Sequence, residues 1–302
     1  MTAVDSHNPL PDPEHGASRS TDREARSRVG RVGIEDTDHE MRPVLLIGGQ
    51  PGSSSIWTKV GPLLRSHGLN VRTIDRPDDR HASGGAGRPH DDAAATAWLL
   101  DKRTASPAVI VAHSLGTATA LALAATAPHH THALVLIDPA TGSLAVTRTD
   151  RLLAAPIMGP AVSWAAFRTA GLALHIPALR AQILTRRFGL TVTQAKEVVR
   201  LCSHGKTWRS FTAEQRRLVT EALQLQERLR EIRCPVVIVT AAHDRGLHKD
   251  DVAAMAEQLP AANVITTDAE HIVPIDDPQT VVRAIIQALS PMRVKARGKK
   301  VL

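Results

Sequence analysis

Ser114 lies in the run Ala112-His113-Ser114-Leu115-Gly116, between the apolar stretch Val109-Ile110-Val111 and an Ala-rich segment from Thr117 to Ala127. The first stretch predicts a buried strand and the second a helix. A strand that turns into a helix through small-x-Ser-x-Gly needs small residues, because the turn brings backbone segments together. Such a turn lifts the serine hydroxyl out at the C-terminal edge of a sheet, with the free N–H groups of a helix start behind it. A serine before a helix is also a common N-cap, so a catalytic reading needs an acid, a base and an oxyanion donor elsewhere in the chain. Two later loops, each following an apolar run, carry the first two. Ala241-Ala242-His243-Asp244-Arg245 follows Val236–Thr240, and Asp268-Ala269-Glu270-His271-Ile272-Val273-Pro274 follows Asn263–Thr266.

The elements that must hold these residues alternate. Strands are expected at Val44–Ile47, Asn70–Ile74, Pro107–Ala112, Ala133–Ile137, Val236–Thr240 and Asn263–Thr266, with a short edge strand within Arg28–Ile34. Helices are expected at Ile56–His67, His90–Lys102, His248–Leu259 and Pro278–Leu289. This order points to an α/β fold with a mostly parallel, doubly wound sheet. Between Ala140 and Arg233 no strand is expected. Helical stretches succeed one another at Ala161–Ala173, Ala178–Arg187, Thr193–Leu201 and Ala213–Glu231, as in a helical cap inserted above the sheet. The expected organisation is therefore residues 1–40 as a disordered segment, 41–139 with 234–290 as the core, 140–233 as the cap, and 291–302 as a basic tail. Gly48-Gly49-Gln50-Pro51-Gly52-Ser53-Ser54-Ser55 after the first strong strand lacks both GxxxxGK[ST] and GxGxxG. It is better suited to presenting backbone N–H groups to Ser114 than to cradling phosphate.

Taken together these motifs resemble the capped, serine-nucleophile type of the α/β-hydrolase fold. Gly48-Gly49-Gln50-Pro51-Gly52 is similar to that family's HG-x-PG loop, and Ala112–Gly116 to its G-H-S-x-G elbow. Ala241–Asp244 matches its late G-x-x-D loop and Asp268–His271 its G-x-x-H loop. Gly48 stands where the family has His, and Ala112, Ala241 and Asp268 where Gly is common. The family's N-terminal hairpin looks shortened, so fewer than eight strands are expected. The resemblance implies a Ser114–His271–Asp244 triad with the backbone N–H groups of Gln50 and Leu115 as the oxyanion hole. Asp138 is a second candidate acid, and Asp250 or Asp251 could also replace Asp244. Gly49, His113, Trp164 and Phe167 are candidate substrate contacts; packing is the competing role for His113 and for the apolar residues of the cap. An aspartate nucleophile, as in dehalogenases and epoxide hydrolases, is excluded by Ser114.

The implied activity is hydrolysis of an ester or thioester of a small to medium, largely apolar acyl group through an acyl-enzyme. The alternatives are a non-catalytic scaffold on the same fold, C–C bond hydrolysis or perhydrolysis. The formal charge of +7 is uneven. Residues 1–42 hold six Arg against nine acidic residues, whereas residues 140–234 hold fifteen Lys/Arg against six. The basic cap suits an anionic carrier such as CoA or an acyl carrier protein, with a solvated basic helix face as the bland reading. No aromatic-interleaved basic stripe or zinc-ligand spacing supports nucleic acid or metal binding, and no cofactor is expected. Cys202 and Cys234 form no disulfide framework, and no signal-peptide core begins the chain. Leu152–Phe167 is too short and too broken by Pro156, Gly159 and Pro160 to span a membrane. A cytoplasmic protein without stable membrane association is the expectation.

Overall fold

The computed structural model describes residues 32–33, 42–49, 54–74, 93–94, 96–97, 100, 107–140, 146–187, 191–203, 207–244, 249–259 and 262–290. The expectations for residues 1–31, for Gln50 and for the tail 291–302 lie outside the described residues, as does most of the helix expected over His90–Lys102.

Among the described residues seven strands form one sheet: β1 Val32–Gly33, β2 Val44–Ile47, β3 Val71–Ile74, β4 Ala108–His113, β5 Thr131–Ile137, β6 Val236–Ala241 and β7 Ala262–Thr267. Their order is β1-β3-β2-β4-β5-β6-β7, with β1 antiparallel to β3 and every other pair parallel. Strands β2, β4 and β6 are buried along their whole length, which is why they read as unbroken apolar runs rather than as alternating patterns. Edge strand β7 is half-exposed instead.

Successive residues of each strand serve opposite layers. On one side Ile47, Ile110, Leu134 and Leu136 pack with Ala118 to Ala124 of α2 (Gly116–Thr126) and with Val252 and Met255 of α8 (Lys249–Gln258). On the other, Leu46, Val109, Val111, Val135 and Val239 pack with Val60 and Leu64 of α1 (Val60–Ser66) and Val281 and Ile285 of α10 (Pro278–Leu289). Asp277 caps α10 by accepting the Thr280 N–H at 3.0 Å. The short α9 (Val273–Asp276) precedes it.

The insertion between β5 and β6 contains α3 Arg148–Ala154, α4 Met158–His175, α5 Pro177–Arg180, a wider turn over Ala181–Arg187, α6 Val192–Ser203 and α7 Thr207–Arg228. Helix α3 was not expected from the sequence, although Thr147 and Asp150 form a capping box at its start. The Arg216 side chain of α7 closes its other end, donating to the carbonyls of Ala154 and Pro156 at 3.1 and 2.8 Å. Helix α7 ties the insertion down, since Leu225 and the following Leu229 join the same core layer as α2.

The sheet positions the elbow by close approach. A Cβ on Gly116 would lie 2.5 Å from the Gly48 carbonyl oxygen and 3.0 Å from that of Ile47. Gly116→Ala must therefore push the β4 turn away from the end of β2. It is expected to cost about 1–3 kcal/mol, read as a lower urea midpoint with an unchanged m-value.

Candidate active site

The turn after β4 holds Ser114 at φ 51°, in the left-handed region that few non-glycine residues occupy. Its N–H donates to the Ile137 carbonyl at 2.9 Å, and its own carbonyl accepts the Thr117 hydroxyl at 2.6 Å. These bonds anchor the backbone and leave the hydroxyl free to face the loops after β6 and β7. The loop after β7 brings His271 to it, with Nε2 3.1 Å from Ser114 Oγ. The loop after β6 places Asp244 Oδ2 2.7 Å from His271 Nδ1. A carboxylate only accepts, so Nδ1 carries the proton and Nε2 is the free base toward the serine. Asp244 is almost enclosed, with 7% of its side chain exposed, whereas the His271 side chain is 44% exposed and open to a substrate.

The second candidate acid is close by but differently placed. Asp138 ends β5 at φ 41°, is fully buried, and accepts the Ala241 N–H through Oδ1 at 2.8 Å. Its Oδ2 lies 3.9 Å from His271 Nδ1, beyond bonding distance. Asp244 is therefore the partner of the imidazole, and Asp138 a buried carboxyl behind it. Burial drives the Asp138 pKa up to about 7, against the opposing hydrogen bond from Ala241. For His271, burial lowers the pKa, but the hydrogen bond and charge of Asp244, with the charge of Asp138, outweigh it and hold it above the ordinary value. Asp138, Asp244 and His271 also form the one His/Asp cluster among the described residues compact enough for a metal ion. Two of its three donor atoms are already joined in the Asp244–His271 hydrogen bond.

Other expected residues take different places. Gly49 abuts the serine, since a Cβ there would fall 2.9 Å from Ser114 Cβ and 3.0 Å from His113 Nδ1. Leu115 is the residue before the first turn of α2, where backbone N–H groups have no intrahelical acceptor. Gln50, the other expected oxyanion donor, lies outside the described residues. His113, a candidate substrate contact, is instead buried beneath the site. Its Nε2–H donates to the His271 carbonyl at 2.8 Å, and burial first, then the charge of His271, lowers its pKa to about 3. It stays neutral and braces the base. Phe167 packs edge-on against Phe211 of α7 with ring centroids 5.5 Å apart, joining α4 to α7. Trp164 is 53% exposed on the outer face of α4.

One device had no sequence signal. The acid and base loops are bonded to each other, Ala242 N–H to Thr267 O at 2.8 Å and His243 N–H to Ala269 O at 3.1 Å. The exposed His243 Nε2 also meets Asp268 Oδ1 at 2.6 Å. Asp268 occupies a position where a glycine was the expected residue, and it uses its side chain for this contact. Cys202 and Cys234 are free thiols, half-buried, and burial pushes Cys234 up to about 12.

Comparison with known proteins identifies the family and the fold. The profile of the "Alpha/beta hydrolase family" matches residues 44–284. The chain is 46% identical over 65 residues to "Lipase LipV" of Mycobacterium tuberculosis, a match covering 20% of this chain and a quarter of the length of that relative. Among solved structures, Cfl2 from Burkholderia cenocepacia superposes with a TM-score of 0.66 at 19% identity, covering 85% of this chain and 90% of that one. The enol-lactonase from Burkholderia xenovorans LB400 superposes with a TM-score of 0.61 at 17% identity, covering 86% and 95%. At these identities the structures speak for the fold.

The two carboxyls should be separable by titration. In a ring-nitrogen NMR titration, Asp244→Asn is expected to lower the His271 pKa, because it removes the bond and charge that raise it. Asp138→Asn is expected to lower it less. An equal or larger shift in Asp138→Asn would reverse their order.

Proposed function

We propose that this chain, which belongs to the alpha/beta hydrolase family, is a serine hydrolase. In this reading it cleaves an ester or thioester of a small to medium, largely apolar acyl group. The observation that carries the proposal is the continuous hydrogen-bond chain Asp244–His271–Ser114, with distances of 2.7 and 3.1 Å.

The chemistry follows from the proton positions. His271 Nε2 takes the Ser114 hydroxyl proton as Oγ attacks the substrate carbonyl carbon. Negative charge then collects on the former carbonyl oxygen, where the Leu115 and Gln50 N–H groups receive it; each such donor is worth about 3 kcal/mol of barrier. As the tetrahedral species collapses, the imidazolium returns the proton to the departing alcohol or thiol. Water enters, His271 deprotonates it, and attack on the acyl-enzyme releases the acid and restores Ser114. Asp244 remains ionised and stabilises the imidazolium in both halves.

The basic insertion supports the thioester arm, since a CoA or carrier-protein substrate is anionic. An uncharged ester or lactone needs no such field, so salt dependence separates the two. The raised His271 pKa fixes the sign of the pH dependence. The base must be neutral, so kcat/KM should fall as pH drops through a value above about 6.5.

The deciding experiment is labelling with a fluorophosphonate probe. Wild type should label and Ser114→Ala should not. The same variant should lose on the order of 1000-fold or more in kcat against p-nitrophenyl esters of graded chain length. Labelling that persists in Ser114→Ala, or wild-type protein that neither labels nor hydrolyses any ester, lactone or acyl-CoA, would return the fold to a non-catalytic scaffold.

A further inference from the structure

Helix α4 carries one Asp, Glu, Lys or Arg residue, Arg168, in its eighteen residues and is otherwise largely apolar on both sides. Its inner side is packed, with Gly159, Ser163, Gly171 and Leu174 buried. The outer side is not. Ile157, just before the helix, is 82% exposed, Met158 53%, Trp164 53% and Leu172 57%. Their spacing puts them on one helical face, together with Arg168. Further apolar side chains follow the helix end in sequence, Ile176, Leu179 and Ile183, which are 51%, 40% and 37% exposed.

A helix that is apolar all round is normally buried, and a contiguous exposed apolar surface marks a place where something else binds. The charge around this surface indicates what. Residues 151–196 contain five Arg, one Lys and no Asp or Glu. Arg168 stands within the exposed face, and Arg151 and Arg186 are exposed on the same stretch. A second copy docking through this face would bring Arg168 and the other arginines of this stretch in the two copies toward one another. An anionic lipid surface satisfies both features, taking isoleucine, leucine and tryptophan among its acyl chains and arginine at its phosphates.

We propose that the outer face of α4, with the apolar residues that follow it in sequence to Ile183, docks the protein on anionic lipid, with the helix lying in the headgroup plane. No helix among the described residues is long and apolar enough to cross a membrane, so the contact is peripheral. It is independent of the chemistry at Ser114.

The test is flotation with vesicles of phosphatidylcholine alone, or of equal parts phosphatidylcholine and phosphatidylglycerol, at low and high salt. Wild-type protein should float with the anionic vesicles and be partly released by salt. Its tryptophan emission should shift to the blue, and Trp164→Phe should remove most of that shift. Ile157→Asp with Leu172→Asp should weaken partitioning by about 100-fold, with a thermal midpoint close to that of wild type because both residues are mostly exposed. Arg168→Glu with Arg186→Glu keeps the apolar face intact and should also weaken binding to anionic vesicles, which decides the matter if the first variant unfolds. Absence of flotation with anionic vesicles, or equal flotation of wild type and the charge variant, overturns the proposal. So does a concentration-dependent dimer that Ile157→Asp dissolves, which would assign the face to a second copy of the chain.

Discussion

Ser114 reaches the top of the sheet only by adopting φ 51°, a left-handed conformation that costs a non-glycine residue roughly 1–2 kcal/mol. That cost has to be met by the surroundings, and the surroundings are the neighbouring strand ends. The Ser114 N–H is bonded to β5 through the Ile137 carbonyl, and the Asp138 N–H is bonded in turn to β6 through Val239. Asp138 is itself left-handed at φ 41°. Two strained residues on adjacent strands thus form one stitched line across β4, β5 and β6. The space that line requires is why Gly49 and Gly116 carry no side chain where they pass it.

The same crowding sorts the titratable groups. His113 and His271 have ring centroids 4.9 Å apart, too close for both to carry charge at low energetic cost in a poorly solvated site. Burial settles which one stays neutral. His113 is enclosed and keeps its lone proton on Nε2 to hold the His271 backbone, while His271 opens to solvent beside Asp244. A parallel division separates the acids. Asp244 is tied to the imidazole, whereas burial favours the neutral form of Asp138. Burial together with the hydrogen bond and charge of Asp244 thereby shifts the two histidines in opposite directions.

Depth is what a linear sequence reveals least, and this explains which parts were legible beforehand. Strands β2 to β6 announced themselves because both faces of each are covered, so each is a run of Val, Leu, Ile and Ala. The elbow was legible because its small residues answer a steric demand inside five consecutive positions. The order Ser114, Asp244, His271 was legible because each residue follows a strand. The competition between Asp244 and Asp138 was not, since both end strands and both approach the same nitrogen; a difference of 2.7 against 3.9 Å decides it. Equally hidden were the bracing role of His113 and the loop-to-loop contact of His243 with Asp268, which join residues 158 and 25 positions apart. Helix α3 escaped because it has only seven residues and no buried side chain. Its signal was a cap rather than a periodicity.

The insertion between β5 and β6 follows a different physics from the sheet and its flanking helices. Between the sheet and its helices, nearly every apolar residue of β2, β4, β5 and β6 is buried. Within the insertion, a small separate cluster of Leu174, Leu184, Ala195 and Val199 holds α4, the wider turn and α6 together. Beyond it, the Phe167–Phe211 ring contact joins α4 to α7, and polar bonds hold α3: Gln215 donates to Asp150, and Arg216 to the carbonyls closing the helix. A unit with a small core and polar stitching can be remodelled at little cost to the sheet, because the strands that hold Ser114, Asp244 and His271 do not depend on it for burial. Among the described residues the insertion shares with that core Leu225 of α7 and, just beyond the helix, Leu229 and Ile232. That asymmetry leaves the strand ends that hold these three side chains largely independent of changes on the outer surface of the insertion.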